Sequence, residues 1–510
     1  MKIFTLRNLR FTARPEFSLE EETAAKLGLP VSAFRIDRIV RKALDTRRRG
    51  HPVFDFTLLL GFTGTIPNHK DLTLFEPQPK PLAEAITSPD SHPYIIGMGP
   101  AGLFCALAMV ENGLQPWLFD RGDALEARAE KVEALWRKGS LDEDSNVQFG
   151  EGGAGAWSDG KLTSRGSDPS IQQVFDQMLR FGAPPEIAWE ALPHLGTEGI
   201  RALVLKLRNH LFEHGCRFFY RHQLEDLEPR SGKVSRVRIN AEWHSPGIIV
   251  LALGNAARKT WPILQQRGME LEPKPFALGF RIEQDQARVN TMIYGDGPWA
   301  DFLGPASYRL TAKTAYTFCM CPGGQVIAAS SEQGGVVTNG MSFSARANRY
   351  ANSAVVTPVD SVDYGEGLWS GVELQRHLES LSFRAGFLAP AQSAQAFLKG
   401  QPEAATAAVS YLPGVYPADL ARLFPPQISS RLGSALVRFD QVLPGFSRDA
   451  VLISPETRTS SPIRMLRHRE RMNCLGLENL YPIGEGSGYA GGIISSAADG
   501  WRLGERIKPG

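Results

Sequence analysis

PYIIGMGPAGLFCALAMVENGLQPWLFDRG, residues 93–122, reads as strand, glycine turn, helix, strand and acid. Residues 94–96 are apolar and fit a short strand. Gly97, Gly99 and Gly102 follow as G-x-G-x-x-G. Residues 103–111 continue as a helix closed by Asn112-Gly113, and residues 115–119 form a second strand with Asp120 at its end. Each position has a physical task. Gly97 permits the tight turn, Gly99 lets backbone approach a pyrophosphate, and Gly102 lets helix and strand pack closely. The helix start, with Pro100 and Ala101, offers unpaired N–H groups and the positive end of the dipole to phosphate. Asp120 stands eighteen residues past Gly102, where it can accept from a ribose diol, and its charge repels a 2′-phosphate. Arg121 beside it joins the candidate cofactor site. A lone glycine motif is weak, but strand, helix and acid at this spacing make the pattern specific.

The fingerprint alone fits NAD or FAD, and later segments decide. IIVLALG, residues 248–254, reads as a buried strand ending at Gly254. Short alternating segments over 216–240, with Leu224 among them, suggest a β-meander before it. Near the end, NLYPIGEGSGYAGGIISSAADGWRLGERI spans 479–507. A strand over 480–483 ends in Gly484-Glu485-Gly486, and a helix starts near Gly491, Gly492 and Ile493. In flavoproteins of this type the acid, here Glu485, reaches the ribitol chain. The helix then aims its positive end at the flavin ring. NAD has no use for an element about 380 residues past its fingerprint. The expected cofactor is therefore FAD. No second fingerprint is visible. Electrons then come from a substrate bound at the flavin, or from NAD(P)H docking without its own domain.

The fold class expected is α/β: a Rossmann-type FAD-binding domain with an inserted mixed α+β substrate domain and a small N-terminal α/β module. The boundaries read as 1–75 for the module and 76–93 for a proline-rich linker. The FAD-binding domain is discontinuous, 94–265 and 440–510, around a substrate domain at 266–439. A chain of 510 residues suits two to four domains. In the module, residues 2–6 and 53–60 read as strands. Ser18 with Glu21 marks a helix start, and Gly28 its end. Helices are also expected at 123–138 and 197–214.

Hydrophobic residues make up 43% and charged residues 22%, the balance of an ordinary globular protein rather than a disordered one. A net charge of +2 gives no general reason for a nucleic-acid partner. Residues 1–50 are locally basic, with twelve Lys/Arg against six Asp/Glu and the run Arg47-Arg48-Arg49. A solvated face commonly carries such a run. Five scattered cysteines argue against a disulfide framework. No signal peptide or membrane span is evident, so a cytoplasmic, reduced protein with no membrane partner is expected.

IIGMGPAGLFCAL, FGEGGAGAWSDGKLTSR (149–165), KPFALGFRIE (274–283), CMCPGGQVIAASSEQGGVVTNGMS (319–342), TRTSSPIRMLR (457–467) and GEGSGYAGGIISSAADG (484–500) together resemble a bacterial family of FAD-utilising, or NAD(P)/FAD-dependent, dehydrogenases. That family is similar to the wider group of glutathione reductase-like and p-hydroxybenzoate hydroxylase-like flavoproteins. The resemblance implies an FAD-dependent oxidoreductase. It implies that Gly152, Gly153, Ser158 and Lys161 line the pyrophosphate and flavin, and that Leu224 lies beside the adenine. An ordered surface loop is the alternative for 150–161. One departure is Asn255, where the resemblance leads one to expect histidine.

The catalytic group is not legible. Cys319 and Cys321 form C-x-C, and alternate strand positions share a face. Buried structural thiols are the commoner reading of such a pair. Arg458, Arg281 and Arg464 are candidates to bind an acidic substrate or to serve as salt-bridged scaffold. Arg458 is the favoured substrate anchor, with a site lined by 319–331 and 457–464. No metal site is expected. The expected partner is a small-molecule substrate, with oligomeric state open. Two functional readings stand: hydride transfer between that substrate and the flavin, with a monooxygenase reduced by NAD(P)H as its variant, and a flavoprotein acting on RNA through the basic module.

Overall fold

The computed structural model describes residues 2–76, 84–163, 168–401 and 408–510. Part of the expected linker, residues 77–83, lies outside them. At the centre is a five-stranded sheet in the order Leu480–Pro482, Ile249–Leu251, Tyr94–Ile96, Trp117–Asp120, Arg217–Tyr220. All neighbouring pairs are parallel. The strands on the fingerprint side are short and wholly buried, as parallel strands covered by helices on both faces are.

The helix Pro100–Glu111 buries nine of its twelve residues. It crosses the last helix, Ile493–Gly504, at very close range. A Cβ on Gly500 would sit 2.0 Å from the Ala101 carbonyl oxygen, and one on Gly504 would sit 2.3 Å from that of Cys105. The end of the chain is thus locked onto the fingerprint helix.

One expected element moves. The alternation over 216–240 places residues 217–220 in the meander, but they pair in parallel with Trp117–Asp120. They follow the long helix Gly196–Glu213, so they are the return strand of a βαβ crossover, and Phe219 stacks on Phe119 with centroids 4.7 Å apart. Alternation alone cannot tell an edge strand of one sheet from the first strand of another. The antiparallel meander is Leu224–Arg230, Lys233–Ile239 and Glu242–His244.

A second, seven-stranded sheet runs Thr338–Met341, Tyr316–Ala328, Tyr350–Val359, Phe276–Asp285, Val451–Glu456, Ala389–Ser393, Val415–Pro417. Its pairs are antiparallel except the last. This corrects the boundary expected at 440. Val451–Glu456 pairs with Phe276–Asp285, and Leu436 and Phe439 of the helix Pro426–Val442 share a core with Leu452. The second unit therefore runs to residue 456. VLISPE is a buried run whose apolar start, residues 451–453, does not say which sheet it joins.

The N-terminal module is a four-stranded antiparallel sheet, Phe34–Asp45, Val53–Phe62, Ile3–Thr12, Leu72–Leu74, with the helix Leu19–Leu27 on one face. Ser18 caps that helix by accepting from the Glu21 N–H, and Gly28 closes it at φ +65°. The strand Phe34–Asp45 was not expected. Its two register shifts break the alternation that marks a strand. Part of the module's positive charge is spent in ion pairs: Arg10 and Arg47 with Asp45, Arg35 with Asp37, Lys42 with Glu190. Among the described residues no helix is long and apolar enough to cross a membrane, and no group of three metal-ligating side chains occurs.

Candidate functional site

The fingerprint turn is packed to the limit. Gly97 has φ +112°, and a Cβ there would sit 2.2 Å from the Ala252 carbonyl oxygen. A Cβ on Gly102 would sit 2.0 Å from the Gly97 carbonyl oxygen. Gly99 is the N-cap of the helix with Pro100 at its first position, and no side chain caps this end. Its first-turn N–H groups are left to a ligand. Asp120 is buried: one carboxylate oxygen accepts from Met98 N at 2.9 Å and the other from Gly122 N at 2.9 Å. It therefore braces the turn, and each oxygen keeps a lone pair for a ribose hydroxyl. Arg121 bends onto Asp144 and lies 4.3 Å from the Phe149 ring, so it walls the site through the neighbouring loop.

Residues 150–161 dock on this turn and do not form a surface loop. Gly152 N donates to the Met98 carbonyl at 2.8 Å. Gly153, at φ +61°, would place a Cβ 3.0 Å from the Gly99 Cα, and a Cβ on Gly155 would lie 3.1 Å from Ile493 Cγ1. The loop thus joins the fingerprint to the start of the last helix.

Two residues missed in the sequence hold this loop. The wholly buried Arg128 donates to the carbonyls of Asn146, Val147, Gly150 and Glu151, and lies 4.1 Å from the Trp157 ring. The wholly buried Glu151 accepts from Leu125 N at 2.8 Å, Arg208 at 2.9 Å and the Tyr220 hydroxyl at 3.0 Å. For Glu151 the one available signal was a carboxylate set directly among Gly150, Gly152 and Gly153. Ser158 was expected to line the cofactor. Its hydroxyl instead donates to Gly155 O at 2.8 Å and accepts from Gly160 N, bracing a local turn. Among the described residues the buried Lys161 Nζ has no hydrogen-bond partner, and it lies 3.8 Å from Asp159. Asp159 itself is held by Ser342 and by Arg346 at 2.9 Å.

The C-terminal signature meets the fingerprint as the sequence required. Gly484 N donates to Asp499 at 2.9 Å, and a Cβ on Gly484 would meet the Ala101 Cβ at 2.7 Å. A Cβ on Gly486 would sit 2.3 Å from the Gly254 carbonyl oxygen. Between them Glu485 accepts from the Asn255 amide at 2.9 Å. Burial pushes its carboxyl up to about 7, against the Asn255 bond and the Lys274 charge. Asn255, the departure from the family pattern, thus has a partner. Gly491 and Gly492 are exposed, a Cβ on either would meet open space, and no side chain caps the helix Ile493–Gly504. Leu224 is buried with Ile96 and Phe119, so its side chain belongs to a core and only its backbone can face an adenine.

Arg458 is not the substrate anchor expected. Its side chain is 4% exposed and is held by Glu379 at 3.0 and 3.2 Å and by Ser331. The buried Arg258 grips the same carboxylate at 2.7 and 2.8 Å. Glu379 lies about 80 residues away in the chain, and no local pattern announced it. Arg281 is likewise scaffold: wholly buried, it binds Glu456, Asn352, Asn339 and the Cys319 carbonyl. Arg464 pairs with Glu272 at 2.7 Å and is half-buried. Cys321 is buried, as a structural thiol would be, but Cys319 is exposed.

A family model described as FAD-dependent protein, C-terminal domain-like, matches residues 275–459. An uncharacterized protein of Clostridium beijerinckii is 39% identical over 432 residues, covering 82% of this chain and 80% of its own. Among solved structures, halogenase PltM in complex with phloroglucinol and FAD overlaps 80% of this chain and 67% of its own, at 11% identity and a TM-score of 0.37. L-amino acid deaminase from Proteus vulgaris overlaps 82% and 90%, at 10% identity and a TM-score of 0.34. These two likenesses are too loose to carry an argument. The first two matches do carry one.

Proposed function

We propose, from the premise that this chain belongs to one family with the Clostridium relative and carries the C-terminal domain of FAD-dependent proteins, that it is an oxidoreductase moving a hydride between a small molecule and FAD. FAD is its cofactor. The observation that carries the reading is a single glycine-lined floor. It runs from the Gly97–Gly102 turn, across Gly153 and Gly484–Gly486, to the open start of the last helix at Gly491-Gly492. A Cβ would be blocked at Gly97, Gly102, Gly484 and Gly486 and crowded at Gly153, whereas at Gly99 it would make an ordinary contact and at Gly491 and Gly492 it would meet open space.

The residues fit the group in a definite order. The uncapped helix Pro100–Glu111 takes the pyrophosphate, and Asp120 the ribose. The uncapped helix Ile493–Gly504 presents its positive end where negative charge develops on reduction. Bound FAD supplies a two-electron acceptor. The protein's part is to place the donor carbon, exclude water and handle one proton. Glu485, pushed up to about 7 by burial and held by Asn255, can keep or release a proton at neutral pH. The substrate side is assigned to the stretches 319–331 and 457–464, with Arg458 excluded as its anchor. The second reading, in which NAD(P)H reduces the flavin without its own domain, keeps the same site.

Anaerobic mixing of the holoprotein with NADH, NADPH and a panel of small alcohols, amines and hydroxy acids tests this. Bleaching of the flavin by a member of the panel is expected. Bleaching by NAD(P)H alone would favour the second reading, and bleaching by none of them would contradict both.

A further inference from the structure

A two-stranded ribbon, Leu271–Pro273 with Ile463–Met465, carries two cations to the Glu485 turn. Glu272 stands opposite Arg464 across this antiparallel pair. Lys274 follows directly, and its N–H donates to the Pro462 carbonyl at 2.8 Å, which extends the ribbon by one residue. Side chains two apart on a strand share a face, so Glu272, Lys274 and Arg464 stand together. The opposite face belongs to a core, where Ile463 and Met465 are buried and Leu271 is packed with them.

The ribbon is seated on the turn itself. Met465 N donates to the Ser487 carbonyl at 3.1 Å, and Gly488 N to the Glu485 carbonyl at 2.9 Å. A Cβ on Gly488 would sit 2.9 Å from the Arg464 Cα and 3.0 Å from its Cβ, so the Arg464 side chain leaves the ribbon directly against this turn. The chain then passes through Tyr489, whose ring lies 5.5 Å from the Arg464 guanidinium, to the open helix start at Gly491-Gly492.

Neither cation is saturated. Glu272 takes Arg464 Nη1 at 2.7 Å, while Nε is buried without a hydrogen-bond partner among the described residues. Lys274 is half-buried and makes no ion pair among the described residues; its Nζ reaches the Ser461 carbonyl at 3.4 Å. Burial and the Arg464 charge work to lower its ammonium, with Glu485 opposing them. Arg458 and Arg281 differ, since each is matched by a buried acid. Two cations against Glu272 leave one positive charge, the complement of one carboxylate rather than of a doubly charged phosphate.

We propose that Lys274 and Arg464 anchor a carboxylate of the substrate, so that the small molecule oxidised at this site is an organic acid. Arg464 offers planar, directed donors and Lys274 a compact charge. The carboxylate then lies over the Glu485 turn, at the flavin end of the floor, and the role once expected of Arg458 passes to this pair. The inference rests on the cofactor reading of the same site and adds the substrate class to it.

The test titrates the FAD-loaded protein with acetate, glycolate and benzoate at constant ionic strength, each beside its amide, and follows the flavin absorbance bands. At least one carboxylate should shift the bands saturably, and its amide should not. Lys274→Met and Arg464→Gln should keep full flavin content and weaken that carboxylate at least about tenfold, and Lys274→Arg should recover most of the affinity. Bands unmoved by all three carboxylates, an amide that binds as well as its acid, or a flavin-loaded Lys274→Met or Arg464→Gln that binds the carboxylate as the unaltered protein does would each overturn the anchor. Loss of flavin from both variants would make the pair scaffold and overturn it too. Unaltered protein that takes up no FAD would strike the cofactor reading instead.

Discussion

Glu379→Ala should cost about 3–5 kcal/mol of stability, because it strands two buried cations. The Glu379 carboxylate is 2% exposed and takes Arg258 at 2.7 and 2.8 Å, Arg458 at 3.0 and 3.2 Å, and the Thr457 hydroxyl at 2.6 Å. Both guanidiniums are nearly devoid of solvent. Burial works to raise the carboxyl, but Arg458 and Arg258 outweigh it and hold it far below the usual range. The sign of the pH effect follows. A carboxyl depressed in the folded protein stabilises it above its unfolded value of about 4.3, and that contribution fades as pH falls through the folded value. Urea unfolding should therefore show a large midpoint drop for Glu379→Ala at pH 7, shrinking in acid below about pH 4. An unchanged midpoint at pH 7 would contradict the triad. Arg458→Ala should share the stability loss, which sets it apart from a substrate-binding residue.

Gly102→Val should remove FAD. The first added carbon would sit 2.0 Å from the Gly97 carbonyl oxygen and 3.2 Å from Ile95 Cγ2. The obstacle is backbone, so no side chain can swing clear, and overpacking of this kind costs about 1–3 kcal/mol or more. Because helix and turn shift together, flavin affinity should fall at least about tenfold, the equivalent of roughly 1.4 kcal/mol. Gly99→Ala separates cofactor loss from misfolding. Its methyl would meet only the Gly153 Cα, at an ordinary 3.7 Å, while occupying the side a pyrophosphate approaches. That variant should fold with an unchanged unfolding midpoint and still bind FAD more weakly. Full flavin content in both variants would contradict the fingerprint reading.

What was legible follows from how local each signal is. The turn at Gly97–Gly102 and the strand end at Gly484–Gly486 carry their meaning within a few residues, because glycine spacing reports close backbone approach directly. That they meet, Gly484 against Ala101 and Gly486 against Gly254, followed from one cofactor needing both. The roles of Arg458 and Arg281 were not legible, since each is decided by an acid distant in sequence, Glu379 for one and Glu456 for the other. A lone arginine looks the same whether it waits for a ligand or is already paired. The boundary near 440 failed for a related reason. Val451–Glu456 is buried throughout, and only its pairing with Phe276–Asp285 shows which sheet owns it. The exposure of Cys319 was hidden because C-x-C on a regular strand puts both thiols on one face, and the register shift between Phe318 and Cys321 breaks that alternation.

The most direct test of the central claim is the flavin content of the purified protein, read by absorbance and by chromatography of the cofactor released on denaturation. The expected result is a yellow protein that releases FAD, not FMN, at close to one per chain. A protein that is colourless and stays colourless after addition of FAD would contradict it.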